Sequence, residues 1–152
     1  MSRRNGRIIA FQALYSWDAT KASLDDLMNF SWLQKDSELH SETPVAEPSE
    51  TAKEERTFAS LLIAGTIENI KEIDELIKEH LSASWSMERI NKVTLAILRI
   101  SIYEIKYQNF VPKKIVIDEA VNIAKDYGPD DSYKFINAVL DKIGKNEESQ
   151  QA

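Results

Sequence analysis

Along most of the chain, apolar residues recur three and four positions apart, the spacing that gathers side chains on one face of an α-helix. The first such run predicts a helix from Arg4 to Thr20, with Ile8, Phe11 and Tyr15 along one stripe and Ala10, Leu14 and Trp17 beside it. A second helix begins after Ser23, whose hydroxyl can cap it while Asp26 completes a capping pattern, and ends near Lys35. From Asp36 to Thr51 the periodicity stops. That stretch holds Ser, Glu, Thr, Pro44 and Pro48 and little that could bury itself, so it reads as an acidic, flexible surface loop that folding does not need.

Helical spacing returns with Phe58, Leu61 and Leu62 and runs through Ile70, Ile73, Leu76 and Ile77 to Leu81. It predicts one long helix bending near Gly65, because glycine weakens a helix interior by ~1 kcal/mol relative to alanine. Ser86 can cap a short turn, after which Val93 to Tyr107 is apolar on nearly every side, the pattern of a central, buried helix. Pro112 separates it from a helix over Ile115 to Tyr127, and Gly128 with Pro129 is a stop signal. Asp131 or Ser132 caps the last helix, whose apolar face is Phe135, Ile136, Val139, Leu140 and Ile143; beyond Gly144 the polar tail should fray. The fold class is all-α, and the short connections imply antiparallel packing. Only Ile115, Val116 and Ile117 form a β-branched run that a strand would favour.

Composition narrows what such a bundle can do. At 152 residues the chain is the size of one domain, and no apolar run approaches the ~20 residues of a membrane span. The apolar core of a secretory signal does not follow Ser2, Arg3 and Arg4, so a cytoplasmic location without membrane partners is expected. Cysteine is absent, which excludes disulfides, thiolate metal sites and thiol nucleophiles. His40 and His80 stand apart, and no glycine-rich phosphate loop occurs, so neither a metal set nor a catalytic constellation can be assembled. The chain reads as a protein without catalytic site, metal or cofactor.

A net charge of -6 argues against a surface that coats nucleic acid everywhere, which makes the distribution of charge decisive. Arg3, Arg4 and Arg7 cluster at the start, with no acidic residue before Asp18. They sit at the positive end of the helix dipole, an unfavourable place for cations unless an anionic partner binds there. Asn5 and Gln12 add hydrogen-bonding groups; a merely solubilising basic tail is the competing reading. Three phosphate contacts to a single strand would give a log-log salt slope of about -2. The second cluster is the junction from Asp126 to Asn137, where aromatic rings can stack on unpaired bases and Lys134 can meet a phosphate. A well-capped turn with Phe135 in the core fits those residues too.

Arg3-Arg4-Asn5-Gly6-Arg7, followed by Ala10-Phe11-Gln12-Ala13-Leu14-Tyr15-Ser16-Trp17, resembles the opening of the NusB transcription antitermination family. Leu98-Arg99-Ile100, Tyr103-Glu104, Pro112, Ile117-Asp118-Glu119-Ala120 and Ala124-Lys125 resemble its central signature. Asp131-Ser132, Lys134-Phe135-Ile136-Asn137 and Val139-Leu140-Asp141-Lys142 resemble its C-terminal one. The blocks keep their order over nearly the whole chain. The resemblance implies two antiparallel three-helix bundles with a short extra helix, forming one domain over 1–145. It also implies binding of single-stranded boxA RNA in ribosomal RNA leader transcripts, pairing with the ribosomal protein NusE, and action on RNA polymerase.

Carried across by residue, the resemblance places Arg3, Arg4, Arg7, His80, Asp131, Lys134 and Phe135 at the RNA, and Tyr15 and Thr94 at the protein partner. The chain departs from the family pattern where Asn5 and Gly6 interrupt the arginines, at Thr94 in place of an acidic residue, at Ala138 in place of a glycine, and in its longer acidic loop. Two other readings share the fold: a regulatory protein-binding module without RNA affinity, and the RNA-binding domain of a ribosomal RNA methyltransferase. Chain length disfavours the second.

Overall fold

A computed structural model describes residues 3–21, 23–28, 49–81, 86–108 and 111–151. Seven α-helices occupy them: α1 (Arg3–Thr20), α2 (Leu24–Met28), α3 (Glu50–Glu68), α4 (Ile70–Glu79), α5 (Lys92–Tyr107), α6 (Lys113–Tyr127) and α7 (Ser132–Gln151), with a 3-10 turn at Met87–Arg89. Among the described residues there is no strand, and Ile115, Val116 and Ile117 are helical. None of these helices is long and apolar enough to cross a membrane. The chain gathers into two compact units, Met1–Ala64 and Gly65–Ala152.

The first unit holds α1, α2 and α3 as far as Ala64. Lys21, in the left-handed region at φ 56, stops α1 after its N–H reaches back to the Trp17 carbonyl at 2.9 Å. The Ser23 hydroxyl accepts from Asp26 N–H at 3.2 Å and starts α2, as the capping pattern predicts. The expected end of that helix near Lys35 lies outside the described residues, as do 36–48 of the acidic loop. Glu50 and Thr51 do not belong to that loop: Ser49 Oγ accepts from Ala52 N–H at 3.1 Å and caps α3. The acidic Glu50 then sits favourably at the helix's positive end. Ala10, Phe11, Ala13, Leu14, Leu27, Ala59, Leu62 and Ile63 are buried. Ile8 and Tyr15 are not, so the buried stripe of α1 is rotated away from the one the spacing suggested.

In the second unit α5 is the hub, with every residue from Thr94 to Ile105 buried and α4, α6 and α7 packed against it. Its cap is Asn91, whose side chain accepts from Val93 N–H at 2.9 Å and Thr94 N–H at 3.3 Å. Ser86 precedes the 3-10 turn without a side-chain cap bond. α6 and α7 form an antiparallel hairpin: Lys113, at the start of α6, donates to the Gly144 carbonyl far along α7. The helix from 58 to 81 is interrupted at Asn69, not at Gly65. Asn69 adopts φ -110 and ψ 19 and donates through Nδ2 to the Gly65 carbonyl at 2.8 Å, the local side-chain bonding by which Asn competes with helix. Gly65 serves packing instead, since a Cβ there would overlap the Tyr103 ring of α5. The polar tail also differs from expectation, because α7 continues as helix to Gln151.

Candidate nucleic-acid interface

The arginine cluster forms the first two turns of α1, a helix with no acidic residue in its first turn. Arg3 and Arg4 are exposed, whereas Arg7 is only 6% exposed. The guanidinium of Arg7 lies 5.6 Å from the centroid of the Phe58 ring on α3, and that of Arg3 lies 5.7 Å from the same centroid. Both fall within the range of cation–π attraction. Asn5 Nδ2 donates to Glu55 Oε1 at 3.4 Å one turn before Phe58. The interruption at Asn5 and Gly6 therefore has a use: a Cβ on residue 6 would stand 2.6 Å from Phe58 Cδ1 and 3.2 Å from the Glu55 carbonyl. Arg7, expected at the RNA, has little surface to offer a strand, because it is the arginine that packs deepest beside that ring.

Phe58 is the residue sequence reasoning missed. Its position on an apolar helical stripe marked it only as core, and only the approach of α1 to α3 reveals two guanidinium groups against its ring. Tyr15, two turns beyond Arg7, is 43% exposed and is available to a partner.

In the second unit, the turn between α6 and α7 presents the other expected residues. Asp131 takes the left-handed conformation at φ 67, which Asp tolerates better than most residues, and opens the last helix. Its carboxylate lies 3.4 Å from Lys134 Nζ, and both side chains are exposed. Tyr133 carries two ammonium groups near its ring, Lys125 at 4.9 Å and Lys134 at 5.9 Å from the centroid. Lys125, Gly128, Pro129, Asp130, Asp131 and Tyr133 line an open recess of about 340 Å³ beside them. Phe135 is half-buried, between the core and stacking readings.

His80 ends α4, where its Nδ1 lies 2.8 Å from the Leu76 carbonyl and its Nε2 lies 3.3 Å from Asn146 Nδ2. A carbonyl only accepts, so Nδ1 carries the proton and Nε2 accepts from the amide. Both ring nitrogens are thus used within the protein, leaving the ring's face as what His80 can offer a base. Thr94, expected at the protein partner, is 3% exposed inside the first turn of α5, and its hydroxyl has no hydrogen-bond partner among the described residues. Among the described residues no group of His, Asp and Glu is arranged to hold a metal ion.

Comparison with known proteins places this geometry. The transcription antitermination protein NusB of Treponema denticola is 51% identical over 143 residues, covering 94% of this chain and 96% of that protein. Of solved structures, NusB from T. maritima covers 100% of this chain and 99% of its own at 32% identity and a TM-score of 0.75. A chain from the complex of the antitermination factors NusB and NusE with dsRNA covers 95% and 96% at 25% identity and a TM-score of 0.75. Residues 4–145 match the NusB family over both the arginine-bearing α1 and the α6–α7 turn, and the chain belongs to that family.

Proposed function

We propose that this protein is a cytoplasmic transcription antitermination factor that binds single-stranded boxA-type RNA of ribosomal RNA operon transcripts and pairs with the ribosomal protein NusE on RNA polymerase. It has no catalytic role in this reading, and residues 1–145 act as its RNA-binding domain. The observation that carries it is the exposed pair Arg3 and Arg4 in the first turn of a helix with no acidic residue there, on a chain of net charge -6. Cations in that position are disfavoured by the helix dipole and are relieved by phosphate.

On α1, Arg3 and Arg4 neutralise backbone phosphates, with Arg7 behind them. At the α6–α7 turn, Lys134 meets a phosphate, Asp131 accepts from a base edge and Phe135 stacks on a base, as does the face of His80. A single strand is favoured because stacking on an aromatic side chain needs bases that are not already paired and stacked. Tyr15 supplies the exposed aromatic for the protein partner. The solved complex that contains a NusB, a NusE and RNA supports both partner classes.

The test is binding of a labelled single-stranded boxA-type RNA, alone and with purified NusE, against a scrambled strand of equal length. The reading expects preference for the boxA-type strand and tighter binding with NusE present. A protein that binds NusE yet no RNA would instead be the helical protein-binding module.

A further inference from the structure

Arg3 and Arg7 of α1 lie within cation–π range of one half-buried ring on α3, and Gly6, immediately before Arg7, leaves the space of its absent Cβ to that ring. We infer that Phe58 is a positioning residue for RNA binding: it fixes the Arg3 guanidinium in place before an anionic strand arrives, and Gly6 admits its ring. The inference rests on the RNA-binding reading above.

An exposed arginine ordinarily samples many rotamers, and binding must suppress them at a cost of roughly two- to tenfold in affinity for each side chain immobilised. Phe58 removes part of that cost in the free protein. The ring face attracts the cation without neutralising it, as a carboxylate would, so the charge stays available to phosphate. Arg7, buried, lies within cation–π range of the same ring. Glu55 is engaged one turn earlier, with Asn5 donating to it.

The experiment is a double-mutant cycle between Phe58→Leu and Arg3→Ala, read as affinity for a fluorescein-labelled single-stranded boxA-type RNA at several salt concentrations. Circular dichroism and the melting temperature check each variant's fold. Phe58→Leu is expected to weaken binding roughly three- to tenfold without changing the salt slope, since the number of phosphate contacts is unchanged. In the Arg3→Ala background the same replacement should cost less than about twofold, a coupling that neighbouring independent packing effects do not produce. Phe58→Tyr keeps the ring and should restore binding to near the parent value.

Gly6→Ala provides a second route, because it crowds the ring with a methyl group while favouring helix. It should weaken RNA binding despite that gain, and it replaces Phe58→Leu in the cycle if the latter does not fold. Equal losses in both backgrounds, or Leu performing as well as Phe, would overturn the inference. If Arg3→Ala weakens binding while the cycle is additive, only the role of Phe58 falls. If the parent protein binds no RNA, the function proposed above falls with it.

Discussion

Gly65 and Thr94 show how single side chains here are judged by what surrounds them. Alanine at 65 would raise helix propensity by ~1 kcal/mol, yet its methyl group would enter the space of the Tyr103 ring. Tyr103 is also held by Gln108, whose Nε2 donates to its hydroxyl at 2.8 Å, and by stacking on Tyr107, so it cannot simply withdraw. Gly65→Ala is therefore expected to destabilise by about 1–3 kcal/mol, the usual cost of overpacking, read as a lower urea midpoint at constant m-value. A raised midpoint would mean that the ring yields easily. Thr94→Val removes a buried hydroxyl that has no partner among the described residues while keeping the side chain's shape. It should leave stability unchanged or raise it by about 1 kcal/mol, and it should not alter NusE binding. Weaker NusE binding with a normal melting curve would return Thr94 to the partner surface.

At the scale of elements, α5 was readable because its residues are apolar on nearly all sides, and the structure buries it from Thr94 to Ile105. Arg99 and Glu104 are the charged residues inside that run, and nothing in the periodicity says how they are tolerated. For Arg99 the answer is a bidentate pair with Asp74 of α4, at 2.9 and 3.0 Å, that ties the two helices together. Tyr107 adds a further hydrogen bond between the same helices, donating its hydroxyl to the Glu72 carboxylate. Removing Asp74 as Asp74→Ala takes the paired carboxylate from the buried guanidinium and should cost about 3 kcal/mol, at the lower end for a buried pair because Asp74 retains some exposure. Replacing both, as Asp74→Leu with Arg99→Met, should recover most of that loss in chemical denaturation. A single replacement costing under about 0.5 kcal/mol would put the pair in the class of exposed surface bridges.

Helix ends were less legible than helix existence. Ser23 capped as its pattern suggested, but Ser49 and Asn91 act as caps that the reading passed over, and Asn69 rather than Gly65 interrupts the long helix. A local hydrogen bond by Asn or Ser decides such boundaries, whereas periodicity reports only which face is buried.

Over the molecule as a whole, the order of the family blocks revealed the fold and pointed to the proposed site residues, most of which lie in short contiguous stretches of α1 and the α6–α7 turn. What joins distant parts of the chain was not visible. Phe58 beside Arg3 and Arg7 lies some fifty positions along the sequence from them, and the burial of Arg7 follows from that encounter. This changes the expected electrostatics. With Arg3 and Arg4 as the exposed cations of α1, their share of the salt dependence is two phosphate contacts, a log-log slope of about -1.4 instead of the -2 that three would give. Phe135→Ala, by contrast, should lower affinity with little change of slope, since stacking releases no counterions.

The central claim, that the start of α1 grips the phosphates of a single strand, is tested most directly by the salt dependence of RNA affinity for the parent and for the double variant Arg3→Ala/Arg4→Ala. The variant is predicted to bind more weakly and with a slope shallower by about 1.4, so that a fourfold rise in salt costs it about sevenfold less affinity than it costs the parent. An unchanged affinity and an unchanged slope, in a variant that melts like the parent, would contradict the account.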